Sequence, residues 1–513
     1  MPSYSVIYKN ENATWGKDNN MVYPSEIIYG PNKIAFSYSE RSEVTYSYFK
    51  GQKIQQRLLL DRITVSYNNN IVKSYELKYI LIADNYNSYS ALNEVVEYGT
   101  GSNRLNSTVF AYHSPANVAM TQTKYNTSHS YITYQSRLFT GDFNGDGKKD
   151  FLCLPDAAKG AAWTGMKVCY NDVSDNFSNT LSITATIDLS KLEDLQALDL
   201  NGDGKDDIVY ELVNAGTSTF YYMINNGTSF GSPVSIASLA NGTNTGMSGK
   251  SRRKNLKQEN DNQLYGTDYN GDGVNDLFLN DPSGNWRIYS MANSSGIMTS
   301  SMNQLGSGTV STLNDQVLTG DFNGDGKADI WGFHDTGVVI YTFSGSSISS
   351  IYTSSVPSKN HFFAIGDFNN DGKTDAFIFG NKVGSTEYDW SNWQVLLSTG
   401  IAFDINNIAQ KKSNLKNDYL RLGDFNGDGN TDLMVTSSNL SWTGTYFYIT
   451  KNRGTDFQAP ILGSYPTELN NLSLSDFDGD GRTDFIGTDA APSWWSGYKL
   501  YKSTGSTAPL LDK

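Results

Sequence analysis

The segment Asp142-Phe143-Asn144-Gly145-Asp146-Gly147-Lys148-Lys149-Asp150 decides how this chain is built, because it occurs seven times with small changes. The copies begin at Asp142, Asp199, Asp268, Asp321, Asp367, Asp424 and Asp476, so successive starts lie 46 to 69 residues apart. A nine-residue motif recurring at that interval predicts one structural unit built seven times.

Written as D-x-N-x-D-G-x-x-D, the motif offers side-chain oxygens at positions one, three, five and nine. Position seven offers its backbone carbonyl. The candidate ligands are therefore Asp142, Asn144, Asp146, Lys148 and Asp150 in the first loop, and Asp199, Asn201, Asp203, Lys205 and Asp207 in the second. The third has Asp268, Asn270, Asp272, Val274 and Asp276; the fourth has Asp321, Asn323, Asp325, Lys327 and Asp329. Asp367, Asn369, Asp371, Lys373 and Asp375 form the fifth set, and Asp424, Asn426, Asp428, Asn430 and Asp432 the sixth. Asp476, Asp478, Asp480, Arg482 and Asp484 complete the series. Clustered hard oxygen donors suit calcium, which takes about six to eight of them in loose geometry; magnesium demands a tighter octahedron. The loops contain no Cys or His, which argues against zinc or copper. Up to seven Ca2+ ions are expected, as structural staples rather than catalytic ions.

Position six is Gly in every copy, and position four is Gly in all but one, where Asn370 stands. A sharp turn around an ion calls for positive φ, which Gly adopts freely and Asn tolerates. The loops are not EF-hands, since a bidentate Glu at the twelfth position and flanking helices are missing. Apolar pairs follow position nine at once: Phe151-Leu152, Ile208-Val209, Leu277-Phe278, Ile330-Trp331, Ala376-Phe377, Leu433-Met434 and Phe485-Ile486. Alternating stretches such as Val317-Leu318-Thr319-Gly320 precede the loops. Both flanks read as strands, so each loop closes a β-hairpin.

The rest of the composition agrees. Among 513 residues, 13% are aromatic and 47 are Gly, a turn-rich all-β profile with room for more than one domain. The formal charge is -14, from 39 basic and 53 acidic residues. The candidate ligand positions hold 22 of those acidic residues, which leaves 31 against the 39 basic ones, so the acidity is local. No nucleic-acid motif appears, and nucleic acid is not an expected partner. No stretch approaches the roughly 20 apolar residues of a membrane span. Millimolar calcium outside the cell suits numerous loops of this kind, so a secreted or bacterial cell-surface location is expected. The start, Met1-Pro2-Ser3-Tyr4-Ser5-Val6, has no recognisable signal-peptide core. Cys153 and Cys169 flank a loop in the first unit and read equally as a cross-strand disulfide or as two buried thiols.

Residues 1–118 lack the loop but carry strand-like runs, including Ile34-Ala35-Phe36-Ser37-Tyr38 and Tyr75-Glu76-Leu77-Lys78-Tyr79, and are expected to form a β-sandwich-like domain. Residues 119–130 are polar and read as a linker. Residues 131–513 hold the seven units, each long enough for four short strands, as in a propeller blade. Turns around Asn226-Gly227, Thr399-Gly400 and Arg453-Gly454 fall late in their units and read as the hairpin between third and fourth strands, with Phe230, Phe403 and Phe457 returning to the core. A strand within 131–141 is expected to complete the last blade. The basic run Lys250–Lys257 reads as a solvated loop between blades.

The pattern L-x-G-D-F-N-G-D-G-K-x-D followed by two apolar residues resembles the FG-GAP/VCBS repeat of integrin α-subunit propellers and many secreted bacterial proteins. The resemblance implies a seven-bladed β-propeller with calcium in hairpin loops on one rim. The N-terminal runs Tyr23-Pro24-Ser25-Glu26-Ile27-Ile28-Tyr29-Gly30, Leu60-Asp61-Arg62-Ile63-Thr64-Val65, Ser90-Ala91-Leu92-Asn93-Glu94-Val95 and Thr108-Val109-Phe110-Ala111-Tyr112 are similar to the module before the propeller in Rhs-like toxins. That group includes the B component of insecticidal toxin complexes and the Salmonella plasmid virulence B family. There the propeller is a docking platform for another toxin subunit, and an adjoining shell encloses a cytotoxic domain. This chain has no recognisable tyrosine-aspartate shell repeats and no toxin domain, so it is expected to be a fragment or a split gene product.

The expected function is a non-catalytic, calcium-stabilised scaffold for protein–protein docking in a secreted Rhs-like or toxin-complex-like assembly, with another toxin subunit or a host surface protein as partner. The alternative is an adhesin or lectin in which Trp163, Trp390, Trp393, Trp442, Trp494 or Trp495 stacks on a glycan; the plainer role of these rings is to fill spaces between blades. The four His, at 113, 129, 334 and 361, form no metal or triad spacing, and no enzyme is expected.

Overall fold

A computed structural model describes residues 4–10, 22–49, 52–83, 88–100, 103–110, 120–126, 136–154, 162–163, 166–171, 177–183, 187–188, 190–240, 263–293, 295–313, 316–334, 337–354, 361–383, 387–407, 419–439, 442–459, 461–463, 469–489 and 498–503. Strands dominate throughout.

The N-terminal region consists of β1 (Tyr4–Asn10), β2 (Val22–Tyr29), β3 (Asn32–Phe49), β4 (Gln52–Tyr67), β5 (Asn70–Ala83), β6 (Ser88–Tyr98) and β7 (Arg104–Val109). Each pairs antiparallel with the next in one meander. Asn68 and Asn69, at φ 47 and 64°, form the two-residue turn between β4 and β5, the left-handed geometry that a tight hairpin prefers. Over its described residues, the sandwich-like module expected over 1–118 is one hydrogen-bonded seven-stranded meander. Among its described residues, only Tyr23, Leu58, Ala91 and Val96 are buried hydrophobics. Charge pairs such as Lys33–Glu26 at 3.1 Å and Lys78–Glu94 at 3.0 Å span neighbouring strands instead.

Seven four-stranded antiparallel sheets follow. The first blade comprises Arg137–Gly141, Asp150–Leu154, Met166–Tyr170 and Asn179–Ile183. The second comprises Leu192–Leu198, Asp207–Asn214, Thr217–Met223 and Val234–Ala240, and the third Gln263–Thr267, Asp276–Asn280, Asn285–Ala292 and Met298–Thr309. The fourth has Gln316–Gly320, Asp329–His334, Gly337–Ser344 and Ser347–Ser354; the fifth has His361–Gly366, Asp375–Val383, Glu387–Ser398 and Phe403–Asn407. The sixth is Tyr419–Gly423, Asp432–Asn439, Trp442–Tyr448 and Ile461–Gly463. The seventh takes Leu469–Ser475, Asp484–Asp489 and Tyr498–Ser503 from the end of the chain, and β8 (Met120–Asn126) from before the first blade.

This last pairing corrects two expectations. Residues 119–130 are not merely a linker, because β8 runs antiparallel to Tyr498–Ser503, from Tyr498 opposite Asn126 to Ser503 opposite Met120. The stretch 131–141 does not complete the last blade, because Arg137–Gly141 is the first strand of the first one. An outermost strand needs only backbone pairing on one side, so the polar run Thr121-Gln122-Thr123-Lys124 carries little signal of its role. The ring is closed by chain from both ends.

Seven apolar clusters fill the seven junctions, the last joining Phe151 and Phe177 of the first blade to Phe477, Ile486 and Tyr498 of the seventh. The apolar pair after each loop explains the arrangement. Successive strand residues point to opposite faces. Leu277 packs toward the second blade and Phe278 toward the fourth; Ala376 packs toward the fourth and Phe377 toward the sixth. Position two of every loop, from Phe143 to Phe477, is fully buried at the following junction. Each such side chain contributes about 1.5–3 kcal/mol by leaving water. Phe230, Phe403 and Phe457 do return to these clusters, as the turn pattern implied. Cys153 and Cys169 are buried free thiols on neighbouring strands, with Cys169 opposite Phe151 and Cys153 opposite Lys167. The run Lys250–Lys257 lies outside the described residues.

Candidate metal centre

Each loop connects the first and second strands of its blade, and its conformation follows from its residues. Positions four and six have positive φ throughout, including Asn370 at 54° and Gly372 at 81°. In the first loop, Asp142 Oδ1 accepts the N–H groups of Gly145 at 2.7 Å and Asp146 at 3.2 Å, and Oδ2 accepts that of Gly147 at 2.8 Å. Asn144 Oδ1 accepts the Asp146 N–H at 2.9 Å, and Asp146 Oδ1 the Lys148 N–H at 2.9 Å. The same bonds recur around the ring, as at Asp321, Asn323 and Asp325 in the fourth loop. Short acceptor side chains thus draw the backbone N–H groups of the loop around the position-one carboxylate.

Position nine lies deepest. Asp150, Asp207, Asp276, Asp329, Asp375, Asp432 and Asp484 are all fully buried. One oxygen of each accepts the N–H of position two, at 2.9 to 3.1 Å. In five blades the other oxygen accepts a backbone N–H at the end of the third strand, from Asn171, Asn225, Ser398, Thr450 or Ser503. The position-nine carboxylate therefore ties loop, second strand and third strand together.

Burial pushes these acids up, against the pull of their N–H donors, and nearby carboxylates add to the rise. Asp150, Asp207, Asp276 and Asp329 reach about 7, and Asp484 about 8. Asp375 and Asp432 also stand well above the usual carboxylate range. At position one, Asp424 is raised to about 6 for the same leading reason. Concentrated, desolvated negative charge is what a hard cation relieves.

Two observations fit the loops to such an ion. Carboxylate oxygens of Asp476, Asp478 and Asp484 lie within 4.8 Å of one another. Asp329 Oδ1 in the fourth loop is buried without a hydrogen-bond partner. Among the described residues, the seventh loop is where three carboxylates converge to this degree. In the first, third, fourth, fifth and sixth loops the position-three amide nitrogen instead bridges to position five, at 3.0 to 3.3 Å. Asp203 and Asp480 pair with Lys205 and Arg482 of their own loops. Bound calcium would engage the oxygens of positions one, three, five and nine and the carbonyl of position seven, and would supply charge compensation that fixes the hairpin.

Three features escape a ligand-centred reading of the motif. First, loops are clasped to one another. The N–H of position eight donates to the position-one carbonyl of the preceding loop at six junctions, from Asp206 to Asp142 (2.7 Å) through Thr483 to Asp424 (2.5 Å). Second, the residue ending a third strand reaches back to the preceding loop. Asn171 Nδ2 donates to Phe477 O, Asn225 Nδ2 to Phe143 O, and the hydroxyls of Ser398 and Ser503 to Phe322 O and Phe425 O. Third, the glycine just before position one gives the next blade room. A Cβ on Gly366 or Gly423 would lie 2.7 Å from Thr431 or Thr483 at position eight. A polar residue ending each third strand was the available signal for the second feature. The third is written in the repeated Gly-Asp dipeptide.

Of the tryptophans considered for glycan stacking, Trp393 is 1% exposed and packs between the fifth and sixth blades. The side chains of Trp163, Trp390, Trp442, Trp494 and Trp495 lie outside the described residues. Among the described residues no helix is long and apolar enough to cross a membrane.

The family model of the FG-GAP-like repeat matches residues 142–210, 268–332, 321–378 and 424–487. The propeller carries FG-GAP-like repeats. A chain of the Photorhabdus luminescens Tc holotoxin pore is 14% identical, with a TM-score of 0.44 over 98% of this chain and 23% of that one. This chain thus spans about a quarter of the toxin chain's length. A lectin from Agrocybe aegerita that recognises non-reducing terminal N-acetylglucosamine is 16% identical, with a TM-score of 0.45 over 80% of this chain and 92% of that one. A rhamnogalacturonan lyase is 11% identical, with a TM-score of 0.40 over 94% and 89% of the two chains. At such identities the likeness does not extend to activity. No curated protein matches the chain.

Proposed function

We propose that this chain is a calcium-stapled, non-catalytic binding platform that docks a protein partner within a secreted, toxin-complex-like assembly. The observation that carries the calcium reading is the buried, unpartnered Asp329 Oδ1, set in a loop whose donor positions are those of six others. Calcium binds the folded loops and not the open chain, so it adds to stability blade by blade. The platform role follows from geometry. A ring held by seven internal junctions leaves its rim loops and outer strands free to vary without disturbing the core. The partner class, a protein subunit of the same assembly, rests on the N-terminal similarity to Rhs-like toxins.

The experiment has two arms. Thermal unfolding of the purified chain is followed in calcium and in chelator, and the chain is mixed with a purified shell-repeat protein of the Rhs type. The expected results are a midpoint several degrees lower in chelator and a co-eluting complex in calcium. An unchanged midpoint removes the calcium reading. Binding to a glycan array with no protein complex replaces docking by lectin activity.

A further inference from the structure

The seven loops share ligand positions but differ in what covers them. The position-five carboxylate is exposed or half-buried in six loops, whereas Asp371 in the fifth is 4% exposed. At position seven, Lys148, Lys205, Lys327 and Arg482 keep partial access to water, whereas Lys373 is fully buried. The Lys373 ammonium sits directly on Asp371 Oδ2, while Asp371 Oδ1 accepts the Lys373 backbone N–H at 3.0 Å. The position-five carboxylate most withdrawn from water is therefore neutralised by a cation from its own loop.

The same loop is distinctive in how its neighbour closes over it. It alone has Asn at position four, and the Asn370 amide lies so close to the sixth loop that a Cβ on Gly429 would fall 2.3 Å from its nitrogen. From the hairpin after the third strand of the sixth blade, Gly454 approaches Phe368, where a Cβ would stand 3.0 Å from the carbonyl oxygen. Two close approaches by the sixth blade thus accompany the burial of Lys373.

We propose that the fifth loop is self-compensated: the Lys373 ammonium holds the cation's place beside Asp371, and divalent ions bind at no more than six loops. The inference rests on the calcium reading of the other loops and deepens it. A divalent ion using Asp371 would stand within a few ångströms of a buried ammonium, where repulsion is poorly screened. The comparable pairs differ. Lys205 lies 3.3 Å from Asp203 with its side chain 27% exposed, and Arg482 pairs with Asp480 at 20% exposure. Those side chains can turn into water and yield the carboxylate to an ion. Among the described residues, Lys148 and Lys327 form no ion pair with position five.

Native mass spectrometry of the full chain at saturating calcium tests this by counting ions in Asp371→Asn, Asp325→Asn and the unsubstituted protein. Asp325→Asn is expected to lose one ion, Asp371→Asn none, with no more than six in the parent. A seventh ion in the parent, or loss of one in Asp371→Asn, overturns the proposal. Lys373→Met, similar in length but uncharged, is expected to gain an ion; should it not fold, the two Asp variants still decide. Absence of any bound calcium in the parent defeats the calcium reading itself, a result distinct from a count of seven.

Discussion

The side-chain amide of Asn171 donates to the carbonyl of Phe477 at 2.7 Å, joining the first blade to the last across 306 positions of chain. The same residue's N–H reaches Asp150 Oδ1 at 2.7 Å, so the seam is fastened to the deepest group of the first loop. The six other junctions have a backbone clasp from position eight, and at three of them it stands beside a side-chain contact of this kind. Among the described residues, no such clasp joins Lys149 to Asp476.

Asn171→Ala should therefore cost more than its counterpart one junction away. Ser503 makes the equivalent side-chain bond to Phe425 O, but Thr483 still clasps Asp424 there at 2.5 Å. Each substitution leaves a buried carbonyl without its donor, a loss of about 1–3 kcal/mol. Denaturant unfolding of Asn171→Ala should place it at the upper end of that range and Ser503→Ala at the lower. The reverse order would mean that the seam is held chiefly by the cluster of Phe151, Phe177 and Tyr498.

Gly366 tests the packing of successive loops. An added Cβ would meet Thr431 at 2.7 Å, and Gly366 is not among the positive-φ residues, so the cost is steric rather than conformational. Gly366→Ala should destabilise the fold by about 1–3 kcal/mol, as overpacking does. Thr431→Ala removes the γ atoms in the way, and the double variant should recover part of the loss. A double-mutant cycle on unfolding free energies measures this coupling. Simple additivity would show that the two sites do not meet.

Much of this architecture was legible because the loop repeats. Asp142 to Asp150 and the six later copies gave the unit count, and the apolar pairs gave strands buried on both faces. The positive φ of Asn370 was legible too, because its residue type occupies a glycine position. Ring closure was not. β8 is an outer strand whose partner lies more than 370 residues away, and Met120–Asn126 has no local pattern that announces it. The N-terminal charge pairs were not legible either, because cross-strand partners such as Lys78 and Glu94 require three-dimensional register. Lys373 is hidden in the same way, since its type matches Lys148, Lys205 and Lys327 and only burial separates it.

The origin of β8 makes the boundary of the propeller a matter for experiment. A chain starting at residue 119 keeps Met120–Asn126, while one starting at 131 leaves Tyr498–Ser503 as an open edge. Unpaired edges invite association. The shorter chain should elute from size exclusion as dimers or aggregates and unfold at lower temperature, and adding a synthetic peptide of residues 119–127 should reverse part of the effect. Equal behaviour of the two chains would assign ring closure to the apolar seam alone.

The buried acids at position nine set a pH dependence whose sign is fixed. Their folded values of about 7 for Asp150, Asp207, Asp276 and Asp329, and about 8 for Asp484, lie above the unfolded carboxyl value of about 4. A raised folded value means that the folded state binds more protons. The resulting stabilisation is complete below pH about 4 and fades as pH rises through 7 to 8. The metal-free chain should accordingly lose thermal stability between pH 5 and 8.5. On the proposed calcium reading the ion would replace the protons at the same carboxylates, so in its presence the midpoint should be nearly level over that range, and the gap between the two curves should widen toward high pH. Thermal melts in buffers of matched ionic strength, on protein stripped of metal beforehand, give both curves. A metal-free midpoint that climbs with pH would mean that the backbone donors on these carboxylates, rather than their burial, govern their charge.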